Sequence, residues 1–247
     1  MVFRKIFGSG KLKKPVDLSL LRADMHSHFI PGIDDGAPDL DASISLIRQM
    51  HDLGYGKLIA TPHIQQDYYK NTPGLILSGL ERVKDAIKEE GLSIELEAAA
   101  EYLLDDGFKE KCESGELMTL GDNYVLIELS YFNPHPNLKG FIFDLQVEGY
   151  KVILAHPERY SYWFNDWKKF TELKDRDVFF QLNLVSLAGH YPEPVKKFAE
   201  KFIDEGLVEF AGSDAHNERY VDSLKLARVE KSLDRLIRSG KLLNHTL

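Results

Sequence analysis

The chain has 247 residues, 31 Lys+Arg against 39 Asp+Glu, a net charge of −8, and 43% hydrophobic content. That composition suits a globular protein with a real core, sized for one large α/β domain. It argues against nucleic acid as the main partner, because a phosphate-tracking surface needs a basic excess. The single cysteine, Cys112, excludes an intramolecular disulfide and fits a reducing compartment.

The first residues carry Arg4, Lys5, Lys11, Lys13 and Lys14 without an apolar core segment, so they do not read as a secretory signal. No apolar run is long enough to cross a bilayer, so no transmembrane segment is expected. The location expected is cytoplasmic. The basic N-terminal arm, residues 1–20, has two readings: a solvated terminus, or weak docking on anionic membrane or an acidic partner aided by Phe3, Ile6 and Phe7. Residues 21–247 are expected to form one catalytic domain.

Beyond the arm, strand and helix signals alternate. Leu21–Met25 reads as a short strand. Leu40–Leu53 has helical spacing and stops at Gly54. Lys57–Ala60 is the next strand. Thr72-Pro73 opens a helix with a cap and a first-turn proline, and Gly91 ends it. Strand Ser93–Ala100 precedes a short helix around Phe108–Glu113. Strand Tyr124–Leu129 is followed by helix Leu138–Glu148, strand Lys151–Ala155 by helix Tyr162–Leu173, and strand Val178–Asn183 by helix Glu193–Asp204. Leu207–Ala211 is the last strand, and one helix spans Val221–Ser239. About seven β/α units in strict alternation predict a parallel sheet with right-handed crossovers.

Nearly every strand ends in an imidazole or a carboxylate. His26 and His28 alternate on the first strand and so share a face. The turn Gly32-Ile33-Asp34-Asp35-Gly36 sets a carboxylate beside them. His63, Glu101, Glu128, His156, Asp214 and His216 follow at later strand ends. Such groups all round one rim predict closure into a barrel, because an open sheet gathers its chemistry at one switch point. The donor set exceeds the needs of one tetrahedral ion and suits two or three ions sharing carboxylates. Paired ions clamp the attacking and leaving oxygens of a phosphate ester and acidify bound water.

Arg159 and Arg219 each stand three residues beyond a candidate ligand histidine. Guanidinium forks there suit a phosphate monoester, the other reading being loop arginines paired with Glu158 and Glu218. Phe29, Tyr102, Tyr131, Phe132, Tyr160, Tyr162, Trp163 and Tyr220 crowd the same loops, either packing or lining a slot for a flat leaving group. Other phosphatase chemistries fail. Cys112 is followed at six residues by Met118 rather than arginine, Asp39-Leu40-Asp41 opens a helix, and no glycine-rich phosphate loop exists. His51, His135, His190 and His245 read as structural. Asn183, at a strand end, is a candidate for supporting the ligands.

The stretches Asp24-Met25-His26-Ser27-His28, Gly32-Ile33-Asp34-Asp35-Gly36, Ala60-Thr61-Pro62-His63, His156-Pro157-Glu158-Arg159-Tyr160 and Ser213-Asp214-Ala215-His216-Asn217 resemble the polymerase and histidinol phosphatase (PHP) superfamily. Within it, they resemble the bacterial capsule-type protein-tyrosine phosphatases. The resemblance implies a distorted (β/α)7 TIM-like barrel holding three divalent metal ions, Mn²⁺ first, with Fe, Zn or Co fitting the same donors. It implies that His26 and His28 share one ion with Glu101 and Asp214, that Glu101 bridges to an ion held by Glu128 and His156, and that Asp35, His63 and His216 hold the third. Asp214, Arg159 and Arg219 would form the catalytic set, both arginines gripping phosphate while metal-bound hydroxide attacks. The implied partner is a phosphotyrosine-containing protein, a bacterial tyrosine kinase tail in surface-polysaccharide production. Ile64 stands where some relatives have a second histidine, and Arg219 lies closer to His216 than its counterpart does in some of them. Alternatives from the same features are a PHP-fold phosphatase of a small metabolite such as histidinol phosphate, a metal-dependent amidohydrolase, and a non-enzymatic metal-bearing module.

Overall fold

The computed structural model describes residues 11–247, so Arg4, Lys5, Phe3, Ile6 and Phe7 lie outside the described residues. Packing begins early. Leu12 N donates to Val229 O and Val16 N to Arg228 O, both at 2.7 Å. Val16 and Leu18 are buried, so the last part of the arm is already seated on the domain.

The strands are β1 (Ala23–Ser27), β2 (Lys57–Ala60), β3 (His63–Ile64), β4 (Glu95–Ala98), β5 (Glu101–Leu103), β6 (Tyr124–Glu128), β7 (Lys151–Ala155), β8 (Phe179–Asn183) and β9 (Phe210–Gly212). All pair in parallel, in the orders β1-β2-β4 and β3-β5-β6-β7-β8-β9. The split is local. β2 runs into β3 across Thr61-Pro62, where proline has no amide to give a ladder. β4 runs into β5 across Ala99-Ala100. Ala99 N still donates to Ala60 O at 2.8 Å and Glu101 N to Pro62 O at 3.1 Å, so pairing continues through the bend. The last strand meets the first through a parallel Ser27–Ala215 bridge, with Asp214 N on His26 O at 2.8 Å and His28 N on Ala215 O at 2.9 Å. The strands therefore come round in sequence order and return to β1, the parallel (β/α) arrangement the alternation predicts.

The helices are α1 (Leu40–Asp52), α2 (Pro73–Glu89), α3 (Phe108–Ser114), α4 (Leu138–Val147), α5 (Lys168–Lys174), α6 (Glu193–Asp204), α7 (Glu218–Ala227) and α8 (Lys231–Arg238). Thr72 caps α2, its hydroxyl accepting from Leu75 N, with proline in the first turn as expected. Two expected helices are each divided. The segment expected as one helix over Tyr162–Leu173 is a 3-10 turn, Ser161–Trp163, followed by α5. The final helix breaks at Arg228–Glu230, where the chain carries Leu12 and Val16 against its carbonyls, giving α7 and α8.

Two apolar cores result. Met25, Ile59, Leu126, Ile153 and Phe210 fill the space inside the strands, with Leu243 and Leu247 packed against them. A larger core, from Leu46 and Ile47 to Phe202 and Leu224, lies between strands and helices. Asn244 ties the tail to β1 and β9, its side-chain amide donating to Ala211 O at 2.7 Å and Ala23 O at 3.1 Å. With the inner core and tail filling the strands' N-terminal end, the polar strand ends gather at the other.

Candidate metal centre

β1 carries an irregularity. Asp24 pairs with Leu58 but Ser27 with Ala60, one residue more on β1 than on β2. Such a bulge re-aims side chains. His26 and His28 finish with their Nε2 atoms 3.3 Å apart. Gly36 completes the turn after them, and a Cβ there would meet His28 O at 2.0 Å, so only glycine allows this approach.

The candidate ligands converge on Glu101, which is fully buried at the start of β5. Its Oε2 lies 3.0 Å from His63 Nδ1 and 3.3 Å from His26 Nε2, and its Oε1 3.0 Å from His156 Nε2. Asp214 Oδ1 lies 3.3 Å from His26 Nε2 and 3.4 Å from His28 Nε2. Glu128 Oε1 is 3.3 Å from His63 Nδ1, and Asp35 Oδ1 is 3.4 Å from both His63 Nε2 and His216 Nε2. Four overlapping groups are close enough to hold an ion: His28 with Asp35, His63 and His216; His26 with His28 and Asp214; His26 with Glu101 and His156; and His63 with Glu101 and Glu128. All nine predicted ligands are thus brought together, and all but Asp35 are buried.

The donor chemistry fits metal ions. Glu101 Oε2, His63 Nδ1 and His156 Nδ1 are buried without a hydrogen-bond partner among the described residues. Leaving such atoms unmade is costly, and a cation satisfies imidazole nitrogens and carboxylates together. The electrostatics agree. Burial pushes His26 down, but the carboxylates of Glu101 and Asp214 outweigh it and raise its pKa to about 9. Burial works against ionised Glu101 and Asp214 too, yet the surrounding imidazoles hold both well below the usual carboxylate range. A site that keeps its buried carboxylates ionised and draws a proton onto His26 wants positive charge. His156 and Asp214 both sit at positive φ, 35° and 54°. Non-glycine residues hold that conformation only where their surroundings impose it.

A further layer of side chains holds the donors. Gln181 Oε1 meets His26 Nδ1 at 3.0 Å, and Asp34 Oδ2 meets His28 Nδ1 at 2.8 Å. Gln65 donates to Glu128 Oε1 at 3.0 Å. Asn183, expected to support the ligands, donates to Asp214 Oδ2 at 2.7 Å. Asp24 accepts from Ser213 N at 2.8 Å and Ser213 Oγ at 2.6 Å, fixing the turn that carries Asp214. Sequence reasoning assigned no such role to Gln181, Asp34 or Gln65. The signal was spacing by two: Gln181 precedes Asn183 by two residues on β8, and Gln65 follows His63 by two.

The donors open into a cleft of about 180 Å³. Tyr69, Tyr131 and Tyr220 line it, each stacked on a candidate ligand: Tyr69 on His63, Tyr131 on His156 and Tyr220 on His216, at ring separations of 5.4, 6.0 and 5.0 Å. Phe29 and Tyr102 are core residues instead. Arg159 enters the cleft between Tyr131 and Tyr191, 4.6 and 4.5 Å from the ring centres, with Nη1 3.0 Å from Asp214 Oδ2. It is not paired with Glu158, which is buried and accepts from Ser186 Oγ and Asn183 N. Arg219 is exposed in the first turn of α7 and is not part of the cleft lining.

A family model for capsular polysaccharide synthesis proteins, CpsB/CapC, matches residues 22–236. The chain belongs to the CpsB/CapC family. Among curated relatives it is 29% identical to the tyrosine-protein phosphatase YwqE of Bacillus subtilis over 195 residues, 78% of this chain and 77% of that one. It is 29% identical to the tyrosine-protein phosphatase CpsB of Streptococcus pneumoniae over 202 residues, 78% and 82% of the two chains. A crystal structure from work on YwqE and CpsB, described as unique metal-dependent tyrosine phosphatases, superposes with a TM-score of 0.77 at 26% identity, covering 91% of this chain and 94% of that one. A lactonase from Listeria monocytogenes shares the fold alone, with a TM-score of 0.55 at 12% identity over 93% of this chain and 91% of that one.

Proposed function

We propose that this CpsB/CapC family member is a metal-dependent protein-tyrosine phosphatase. Its substrate in this reading is phosphotyrosine on a bacterial tyrosine kinase of surface-polysaccharide production, met in the cytoplasm. The observation that carries the reading is the meeting, in one cleft, of the donor cluster around Glu101 with an arginine clamped between two tyrosines. The phosphatase names of YwqE and CpsB support it. Residues 21–247 would be the catalytic domain, with the basic arm ahead of it.

Three ions would be held by His26, His28, Glu101 and Asp214, by Glu101, Glu128 and His156, and by Asp35, His63 and His216. Mn²⁺ is the first candidate, and Fe, Zn or Co suit the same donors. Bound ions would supply an acidified water as nucleophile and neutralise phosphoryl charge. The chain's own residues do the rest. Arg159 donates to phosphoryl oxygens from a fixed plane, because the two tyrosine rings and Asp214 remove its freedom. The tyrosines lining the cleft offer flat faces to the substrate ring. A phenolate leaves readily, so the cleft needs no strong general acid. Arg219, outside the lining, is not needed for the phosphoryl group in this scheme.

The test compares kcat/KM for a phosphotyrosine peptide, a phosphoserine peptide and histidinol phosphate under one set of metal conditions. The phosphotyrosine peptide should be turned over fastest. Faster turnover of either of the others would pass the assignment to a general or metabolite phosphatase.

A further inference from the structure

Two residues that line the cleft, Arg159 and Tyr220, are joined by an unbroken run of ring contacts. Arg159 lies on Tyr191, Tyr191 packs on His190 at 4.9 Å, and His190 packs on Tyr220 at 4.4 Å. Arg219 adjoins Tyr220 in the chain and is exposed. Burial, then the positive charges of Arg219 and Arg159, push His190 below its ordinary pKa, so both arginines act on the same spot.

The acids that might have silenced Arg219 are committed elsewhere. Glu218 accepts from Ser45 Oγ at 3.3 Å and Gln49 Nε2 at 3.4 Å, turned toward α1. Asp222 pairs with Lys225 at 2.8 Å. Asp214 is occupied by Arg159, Asn183 and the histidines. Arg219 makes no ion pair among the described residues. Its backbone is nonetheless fixed: Asn217 Oδ1 accepts from its N–H at 3.1 Å, and Ser223 Oγ donates to its carbonyl at 2.9 Å while meeting His190 Nδ1 at 2.8 Å. An exposed guanidinium without an ion pair, carried on a fixed backbone next to the cleft-lining Tyr220 and on a chain of net charge −8, is an open position for an anion.

We propose that Arg219 forms an outer subsite for an acidic side chain flanking the phosphotyrosine, which gives the enzyme a preference for acidic phosphopeptides. The phosphoryl group goes to Arg159 and the inner donors, and the flanking carboxylate goes to Arg219. The assignment rests on the phosphatase reading.

The test uses the full-length, metal-loaded protein and three phosphotyrosine peptides, identical except for Glu, Ala or Lys on either side of the phosphotyrosine. Free phosphotyrosine serves as the reference. The Glu peptide should exceed the Ala peptide by about fivefold in kcat/KM, through KM, the scale of one solvent-exposed ion pair. Arg219→Ala should bring that ratio to about one, Arg219→Lys should keep most of it, and raising salt should shrink it. A ratio that survives Arg219→Ala overturns the subsite. So does an equal loss on all peptides and on free phosphotyrosine, since Arg219 would then serve the phosphoryl group. If the protein turns over no phosphotyrosine substrate, the phosphatase reading fails. Binding of the same peptides carrying a phosphonomethyl-phenylalanine then still decides whether Arg219 selects acidic flanks.

Discussion

Arg159 and Asp214 meet at 3.0 Å, Nη1 to Oδ2, while the other oxygen of Asp214 faces His26 and His28. One carboxylate thus joins the arginine to the donor cluster. Arg159→Ala should lower kcat/KM for phosphotyrosine by about 10²-fold, the scale of losing one preorganised charge-stabilising donor. Arg159→Lys should recover little of it, because a lysine does not reproduce a planar fork between two rings. Metal content, measured by elemental analysis, should stay at the wild-type level, since Asn183 still holds Asp214 Oδ2. Parallel loss of metal and activity would show that Arg159 organises the ligands instead of the phosphate.

Removing a donor should be far more damaging than removing the sole thiol. His26→Ala removes the imidazole that lies 3.3 Å from both Glu101 and Asp214 and should cost at least about 10²-fold in activity. Gln181→Leu, which frees His26 Nδ1, should weaken metal binding by about 10–100-fold. Cys112 is buried on α3 against Phe108 and Phe141, away from the cleft, and burial raises its thiol pKa. Cys112→Ser should leave turnover nearly unchanged. An inactive but folded and metal-replete Cys112→Ser protein would argue for cysteine chemistry.

Metal affinity should rise with pH. With His26 raised to about 9 by Glu101 and Asp214 against the effect of burial, its imidazole is protonated at neutral pH in the metal-free protein. A metal must displace that proton, so binding weakens as pH falls, by about tenfold per pH unit for each proton released. Competition titrations with Mn²⁺ at three pH values between 6.5 and 8.5 measure the slope. A flat profile would mean that no imidazole proton is displaced. Strong chelation should abolish activity, and added Mn²⁺ should restore it. Full turnover after chelation would refute metal dependence.

The layout was legible where one residue type has one physical use. Histidines and acids ending apolar strands announced the donor cluster, because few other roles need them just past a buried run. Thr72-Pro73 and the strand-helix alternation announced α2 and the parallel order. What stayed hidden depends on partners distant in sequence. The break between α7 and α8 exists because Leu12 and Val16 return to Val229 and Arg228, a contact no local pattern encodes. The bulge in β1 is a register relation between two strands. Gln181 looked like any strand polar until its face was shared with Asn183 and His26. The relation of Arg159 and Arg219 to their neighbouring acids was equally open until Glu158 and Glu218 were seen to be bonded elsewhere.

Glu158 yields a prediction about the stability of the metal-free protein. It is fully buried, and burial raises its pKa from an ordinary 4.5 to about 7, against the hydrogen bonds from Ser186 and the backbone and the charge of Arg159. Its Oε2 has no hydrogen-bond partner among the described residues. An acid whose folded pKa exceeds its unfolded one binds more protons when folded in the window between them. Stability should therefore decline as pH rises from about 4.5 to about 7, by a total on the order of 3 kcal/mol. Glu158→Gln keeps an oxygen for Ser186 and Asn183 and cannot ionise. Compared with wild type under identical conditions, it should match or fall slightly below near pH 5 and be more stable near pH 8. Thermal melts across that range measure the difference. Melting temperatures that differ by the same amount at every pH would show that Glu158 is not the group that titrates.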